Sequence, residues 1–130
     1  MSADRAAALV AAATLLAACA SVTTADGSRL AFASEEFRAY VERVFRSQNE
    51  VASKLAFALE DVGTSGGEGS PLAAAEDALL GACEGLNELA TSRRDEQRLG
   101  LRRSAEAARK APDCERATSA ARAAIAAQQK

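Results

Sequence analysis

The chain of 130 residues contains no histidine and no tryptophan, and it has only one tyrosine and four phenylalanines. Histidine is the usual general base at neutral pH and the commonest metal ligand. Its absence excludes Ser-His-Asp and Cys-His catalytic sites and any zinc site that requires imidazole. We therefore expect no enzymatic activity, no cofactor and no bound metal, with an enzyme built from arginines and carboxylates alone as the remaining alternative.

Neither sign of charge dominates, because 16 Lys and Arg residues stand against 18 Asp and Glu residues, a net charge of −2. Such a balance argues against nucleic acid as a partner. The charge is nevertheless uneven along the chain. Residues 71–90 hold four acids and no bases, whereas residues 91–110 hold seven bases and three acids. The length permits one small domain.

The N-terminal segment has the pattern of an export signal. Residues 6–18 are thirteen uncharged residues, mostly Ala and Leu. A membrane-spanning helix needs roughly 20 apolar residues, so this run has the length of a signal-peptide core instead. It ends in Leu16, Ala17, Ala18 and Cys19, which resembles the lipobox of bacterial lipoproteins. The alternative is a buried, alanine-rich core helix.

The resemblance implies that residues 1–18 are a signal peptide and that Cys19 receives a diacylglyceryl group on its thiol. A peptidase then cuts before Cys19. Residues 19–33 are mostly small and polar, which predicts a lipidated, flexible tether. Residue 20 is Ala and not Asp, which by similarity to Gram-negative lipoproteins implies the outer membrane, with the protein facing the periplasm. Several acyl chains would anchor the chain stably, so the membrane is an expected partner.

If Cys19 carries lipid, Cys83 and Cys114 remain in an oxidising compartment. An even number of cysteines there is typical of a disulfide, and we expect these two to be paired. Two buried free thiols are the alternative.

The first helix is predicted over residues 34–62. Ser34 can act as its N-cap, and Glu35 and Glu36 follow in the first turn, where the helix dipole favours acids. Apolar positions then recur at alternating intervals of four and three, a helical period that excludes a strand. The stripe consists of Phe37, Val41, Val44, Gln48, Val51, Leu55, Ala58 and Val62.

The second helix is predicted over residues 71–99, after a Gly-rich connection. Ser70 and Pro71 form a clear helix start. The helix could end near Ser92 or at Gly100. A turn near residue 92 would leave Cys83 and Cys114 roughly 20 Å apart, too far for a disulfide. A turn near 99–100 brings them opposite each other and is therefore preferred.

The third leg is predicted as two helices, residues 101–111 and 113–128, because Pro112 interrupts helical hydrogen bonding. Asp113 can restart the helix as an N-cap, and small residues line its buried side. Three legs of similar length predict an all-α fold. We expect an antiparallel three-helix bundle over residues 34–130, behind the tether.

Four arginines near the turn between the second and third legs are the candidate docking patch, namely Arg94, Arg98, Arg102 and Arg103. Such a patch would bind an anionic envelope polymer, lipid phosphate or an acidic partner. Alternatively, these arginines only offset acidic surfaces of the bundle, for example Glu84 and Glu88. Gln48 is expected as a polar core residue, and Phe57 either meets the third leg or is an exposed contact point.

These observations predict a lipid-anchored, periplasmic helical domain that acts as a non-enzymatic interaction or structural protein of the cell envelope. The alternative is a protein that binds a small apolar ligand or lipid between its helices.

Overall fold

The computed structural model describes residues 21–32, 34–63 and 69–129. Helices dominate these residues, and the predicted all-α, three-legged bundle is confirmed, with a bent third leg. One small two-stranded sheet precedes it. The elements are β1 (Ser21–Thr23), β2 (Arg29–Ala31), α1 (Glu35–Val62), α2 (Pro71–Arg94), α3 (Leu101–Arg109) and α4 (Ala111–Gln128).

Helix α1 begins where its sequence predicts. The Ser34 hydroxyl oxygen accepts a hydrogen bond from the Phe37 backbone N–H at 3.0 Å, which satisfies an otherwise unpaired donor of the first turn. Gly63 ends the helix with φ of +56°, a conformation that favours glycine. The buried face follows the predicted stripe, except that Tyr40 is more deeply buried than Val41. Its members are Phe37, Tyr40, Val44, Gln48, Val51 and Leu55.

Helix α2 has the predicted start but ends at Arg94 and not at residue 99. The Ser70 hydroxyl oxygen accepts from the Ala73 N–H at 3.1 Å. At the other end, Glu96 has φ of +55°, which breaks the helical path. The Gln97 N–H then donates to the Ser92 carbonyl at 2.8 Å and closes the turn. The loop 95–100 occupies the remaining length, so α2 and the third leg still run side by side.

The third leg bends at Lys110, slightly before the predicted break. Helix α3 ends at Arg109 and α4 begins at Ala111. Pro112 therefore lies in the first turn of α4, where its missing N–H leaves no helical bond unmade. Asp113 is also in this first turn and is not the N-cap. The predicted helices 101–111 and 113–128 are corrected accordingly.

The legs are joined by specific contacts. The sulfur atoms of Cys83 and Cys114 are 2.08 Å apart, and both residues are fully buried. A Cβ on Gly85 would come within 3.2 Å of the Ala107 backbone, so glycine allows α2 and α3 to approach closely. Gln48, a polar core residue as predicted, donates from Nε2 to Asn87 Oδ1 at 2.8 Å and links α1 to α2.

The N-terminal segment requires a correction, because residues 21–31 form a β-hairpin where a flexible tether was predicted. Ser21 pairs with Ala31, and Val22, which pairs with Leu30, is buried. The turn is stabilised by Asp26, whose carboxylate accepts from the Thr24 hydroxyl and from the Ser28 N–H. These hydrogen bonds lower the pKa of Asp26 to about 2. The signal segment 1–18 and Cys19 lie outside the described residues.

We expect the disulfide to contribute strongly to stability. It closes a loop between residues 31 positions apart, which restricts the unfolded chain by roughly 3–4 kcal/mol. Replacing both cysteines, Cys83→Ala with Cys114→Ala, should lower the melting temperature by roughly 12–30 °C for a domain of this size. Thermal unfolding of the two proteins followed by circular dichroism measures this. Two alkylatable thiols in unreduced native protein, or an unchanged melting temperature, would contradict the assignment.

Candidate functional site

The strongest concentration of positive charge is at the connection between α2 and α3. We call residues 93–103 the arginine tip. Two of its arginines are in the last turn of α2, one is in the loop and two are in the first turn of α3, and all are exposed. They are Arg93, Arg94, Arg98, Arg102 and Arg103.

The electrostatics of the tip differ between its two helix ends. Arginines in the last turn of α2 interact favourably with the helix dipole. The first turn of α3 instead carries Arg102 and Arg103 with no acid, although the N-terminus of a helix is already its positive end. These charges therefore reinforce each other and attract anions. A basic first turn is unfavourable for the isolated helix.

Two arginines of the predicted patch form ion pairs within the bundle, as expected if they offset its acidic surfaces. Arg103 lies 2.9 Å from Glu88, one of the acids expected to meet arginines of the third leg. Arg102 lies 3.2 Å from Glu106 within α3. These pairs are largely exposed to solvent, and such pairs are worth about 0–1 kcal/mol. The guanidinium groups can therefore leave these partners for an anionic surface at little cost.

Sequence reasoning missed the apolar component of the tip. The side chain of Leu101 is 93% exposed, the most exposed of the large apolar side chains in the three described ranges. It begins α3 directly before Arg102 and Arg103, and Leu99 beside it is partly buried. The signal in the sequence was the alternation of leucine and arginine around Gly100. The tip thus combines positive charge with a protruding leucine.

A second group of polar residues surrounds Glu115 on α4. Its carboxylate accepts from the Tyr40 hydroxyl at 2.7 Å and from the Ala25 backbone N–H at 3.2 Å, and Arg43 lies 3.9 Å away. The Arg43 guanidinium also lies over the Tyr40 ring, 5.4 Å from its centre. Glu115 therefore connects the hairpin, α1 and α4. A cleft of about 280 Å³ between α1 and α4 begins beside it and reaches Arg122.

Another cleft, of about 410 Å³, lies between α2 and the third leg. Small residues such as Gly85 and Ala107 form its floor, and charged residues surround it. The charged members are Glu84, Glu88, Arg103, Glu106, Lys110 and Asp113. The lining of this cleft fits polar groups better than the small apolar ligand considered as the alternative.

Phe57 is 69% exposed, so it is not buried against another leg. Across residues 21–32, 34–63 and 69–129, no three side chains of the metal-binding types are grouped to hold an ion. Within the same ranges, no helix has the length and apolar character needed to cross a membrane.

The single tyrosine offers a direct test of the Glu115 group. Burial, together with the hydrogen bond to Glu115 and the charge of that carboxylate, raises the pKa of Tyr40 above its ordinary value of about 10. The raised pKa means that protonated Tyr40 stabilises the folded state. This contribution to stability is fully present below about pH 10 and is lost as the pH rises through the folded-state pKa. The phenolate absorbance, which reports Tyr40 alone, should therefore appear only above pH 10.

Glu115→Gln should shift this titration towards the ordinary value, because it removes the negative charge. Glu60→Gln, an exposed position near the far end of α1, should leave it unchanged. A native protein whose tyrosine titrates at its ordinary pKa would contradict the described contact.

No protein-family model matches the chain, and comparisons with curated proteins and with solved structures find no significant similarity. Its function is therefore inferred from the chemistry and position of its own residues. Those that stand out are Cys19 in the sequence, and the arginine tip with Leu101 in the structure.

Proposed function

We propose that this chain is a lipid-anchored, non-enzymatic interaction or structural protein of the bacterial cell envelope, held at the outer membrane and facing the periplasm. The observation that carries the proposal is in the sequence. Thirteen uncharged residues, 6–18, run directly into Cys19, and the last four positions resemble a lipobox. A lipid on Cys19 would replace the apolar segment that the peptidase removes.

The cysteine pairing supports the same compartment. Cys83 and Cys114 lie at bonding distance in the core. Structural disulfides persist in oxidising compartments such as the periplasm and are rare in the cytosol. The chain has three cysteines, so this pairing leaves Cys19 free for modification.

The surface supports binding in preference to catalysis. The arginine tip presents guanidinium groups, which recognise phosphates and carboxylates through paired hydrogen bonds. The candidate docking residues Arg94, Arg98, Arg102 and Arg103 all belong to this tip and are exposed. The chain also lacks histidine, the most frequent general acid and base. An anionic component of the envelope is therefore the proposed partner.

The lipid anchor can be tested by metabolic labelling with an alkyne fatty acid in a Gram-negative host. We expect the wild-type chain to be labelled, and Cys19→Ala to be unlabelled and to retain its signal segment. The matched control is the double variant Cys83→Ala with Cys114→Ala, which keeps Cys19 and should remain labelled. Equal labelling of wild type and Cys19→Ala would refute the lipoprotein assignment.

A further inference from the structure

The chain enters the described fold beside the N-terminus of α1. Ser21, the first residue of β1, pairs with Ala31. The Ser34 backbone N–H, at the start of α1, donates to the Ala31 carbonyl at 3.1 Å. Because Val22 is buried against the core cluster, the hairpin is fixed on the bundle. The point at which the chain reaches the fold is therefore fixed as well.

This entry point is at the same end of the bundle as the arginine tip. Tyr40 contacts Glu115, and further along Ser47 contacts Arg122 at 3.0 Å, so α1 and α4 run in the same direction. Helix α2 runs opposite to α4, and its C-terminus therefore lies at the N-terminal end of α1. The Arg109 guanidinium, 5.8 Å from the centre of the Phe32 ring, also links the third leg to the hairpin.

The distance from the lipidation residue to the hairpin is short. Cys19 precedes Ser21 by two residues, and an extended chain spans at most about 3.6 Å per residue. Two residues of chain can therefore separate Cys19 from the hairpin by at most about 7 Å. An acyl chain on Cys19 would hold this end of the bundle, and with it the arginine tip, close to the bilayer.

The composition of the tip is suited to such a surface. Its five arginines and two acids, Asp95 and Glu96, give a net charge of +3. Anionic headgroups attract basic clusters near a membrane. Arginine can keep its charge at the headgroups while its methylene groups cover apolar surface. The exposed Leu101 would exchange water for acyl chains there, a transfer that the hydrophobic effect favours.

We propose that the arginine tip is a membrane-contact surface. Leu101 inserts between the headgroups of the bilayer that carries the Cys19 anchor, and the arginines bind the lipid phosphates and anionic headgroups around it. This inference rests on the proposed lipid anchor, and it identifies the anionic partner as lipid and not as an acidic protein. The domain then contacts the membrane at two points, through the acyl chains and through the arginine tip.

The absence of tryptophan from the chain allows a clean test. The mature, lipidated Leu101→Trp protein is reconstituted into phosphatidylcholine vesicles with and without phosphatidylglycerol. We expect blue-shifted emission, and quenching by brominated acyl chains, in the vesicles that contain phosphatidylglycerol. The matched control is Phe57→Trp, also exposed and about 33 Å from the start of α1 at 1.5 Å per residue. It should show neither effect.

A further variant separates charge from anchoring. Replacing Arg94, Arg98, Arg102 and Arg103 by Gln in the Leu101→Trp protein should remove most of the quenching. The protein should still float with the vesicles and retain its helical circular dichroism. Equal quenching at positions 101 and 57 would overturn the proposal. Quenching at position 101 that changes neither with phosphatidylglycerol nor with the arginine substitutions would also overturn it. Loss of flotation in the wild type would instead refute the anchor itself.

Discussion

The disulfide between Cys83 and Cys114 is the constraint on which the rest of the structure depends. The first two legs bury leucines, valines and aromatic residues, whereas the third buries mainly small side chains such as Ala107, Ala111 and Ala121. Because hydrophobic stabilisation scales with the apolar area removed from water, the third leg gains the least from burial. A covalent link in the middle of this leg compensates for that weakness. The same small residues let the backbones approach closely enough for the link to form.

Both α1 and α4 hold the hairpin: the Ser34 N–H at the start of α1 donates to the Ala31 carbonyl, and α4 contributes Glu115. Glu115 follows the disulfide directly and holds both Tyr40 and the backbone of Ala25. The hairpin in turn fixes where the chain leaves towards Cys19, and α2 fixes the arginine tip at the same end. The buried link, which positions α4 against α2, therefore contributes to the relative orientation of the proposed anchor and the proposed membrane contact. A flexible tether would have left their relative orientation undefined.

The sequence was most informative where local chemistry decides the structure. Ser34 and Ser70 are caps because their side chains reach N–H groups within the same turn, and the apolar period depends only on helix geometry. The end of α2 depends on Glu96, which has a left-handed backbone conformation. A glutamate in the sequence does not predict this conformation. The Asp26-Gly27 pair was a readable hairpin turn, but the polar residues around it suggested a tether. The exposure of Leu101 depends on long-range packing, and its local signal was limited to the alternation of leucine and arginine around Gly100.

Hydrogen exchange of the mature protein before and after reduction of the disulfide tests this account most directly. In this account the Cys83–Cys114 link holds α4, and α4 helps to hold the hairpin through Glu115. Reduction should therefore lower the protection of the amides in α4 and in both strands at the same time. The central segments of α1 and α2, which pack against each other, should lose the least amide protection. Protection in α4 and the hairpin that survives reduction, or a hairpin that stays protected while α4 opens, would contradict it.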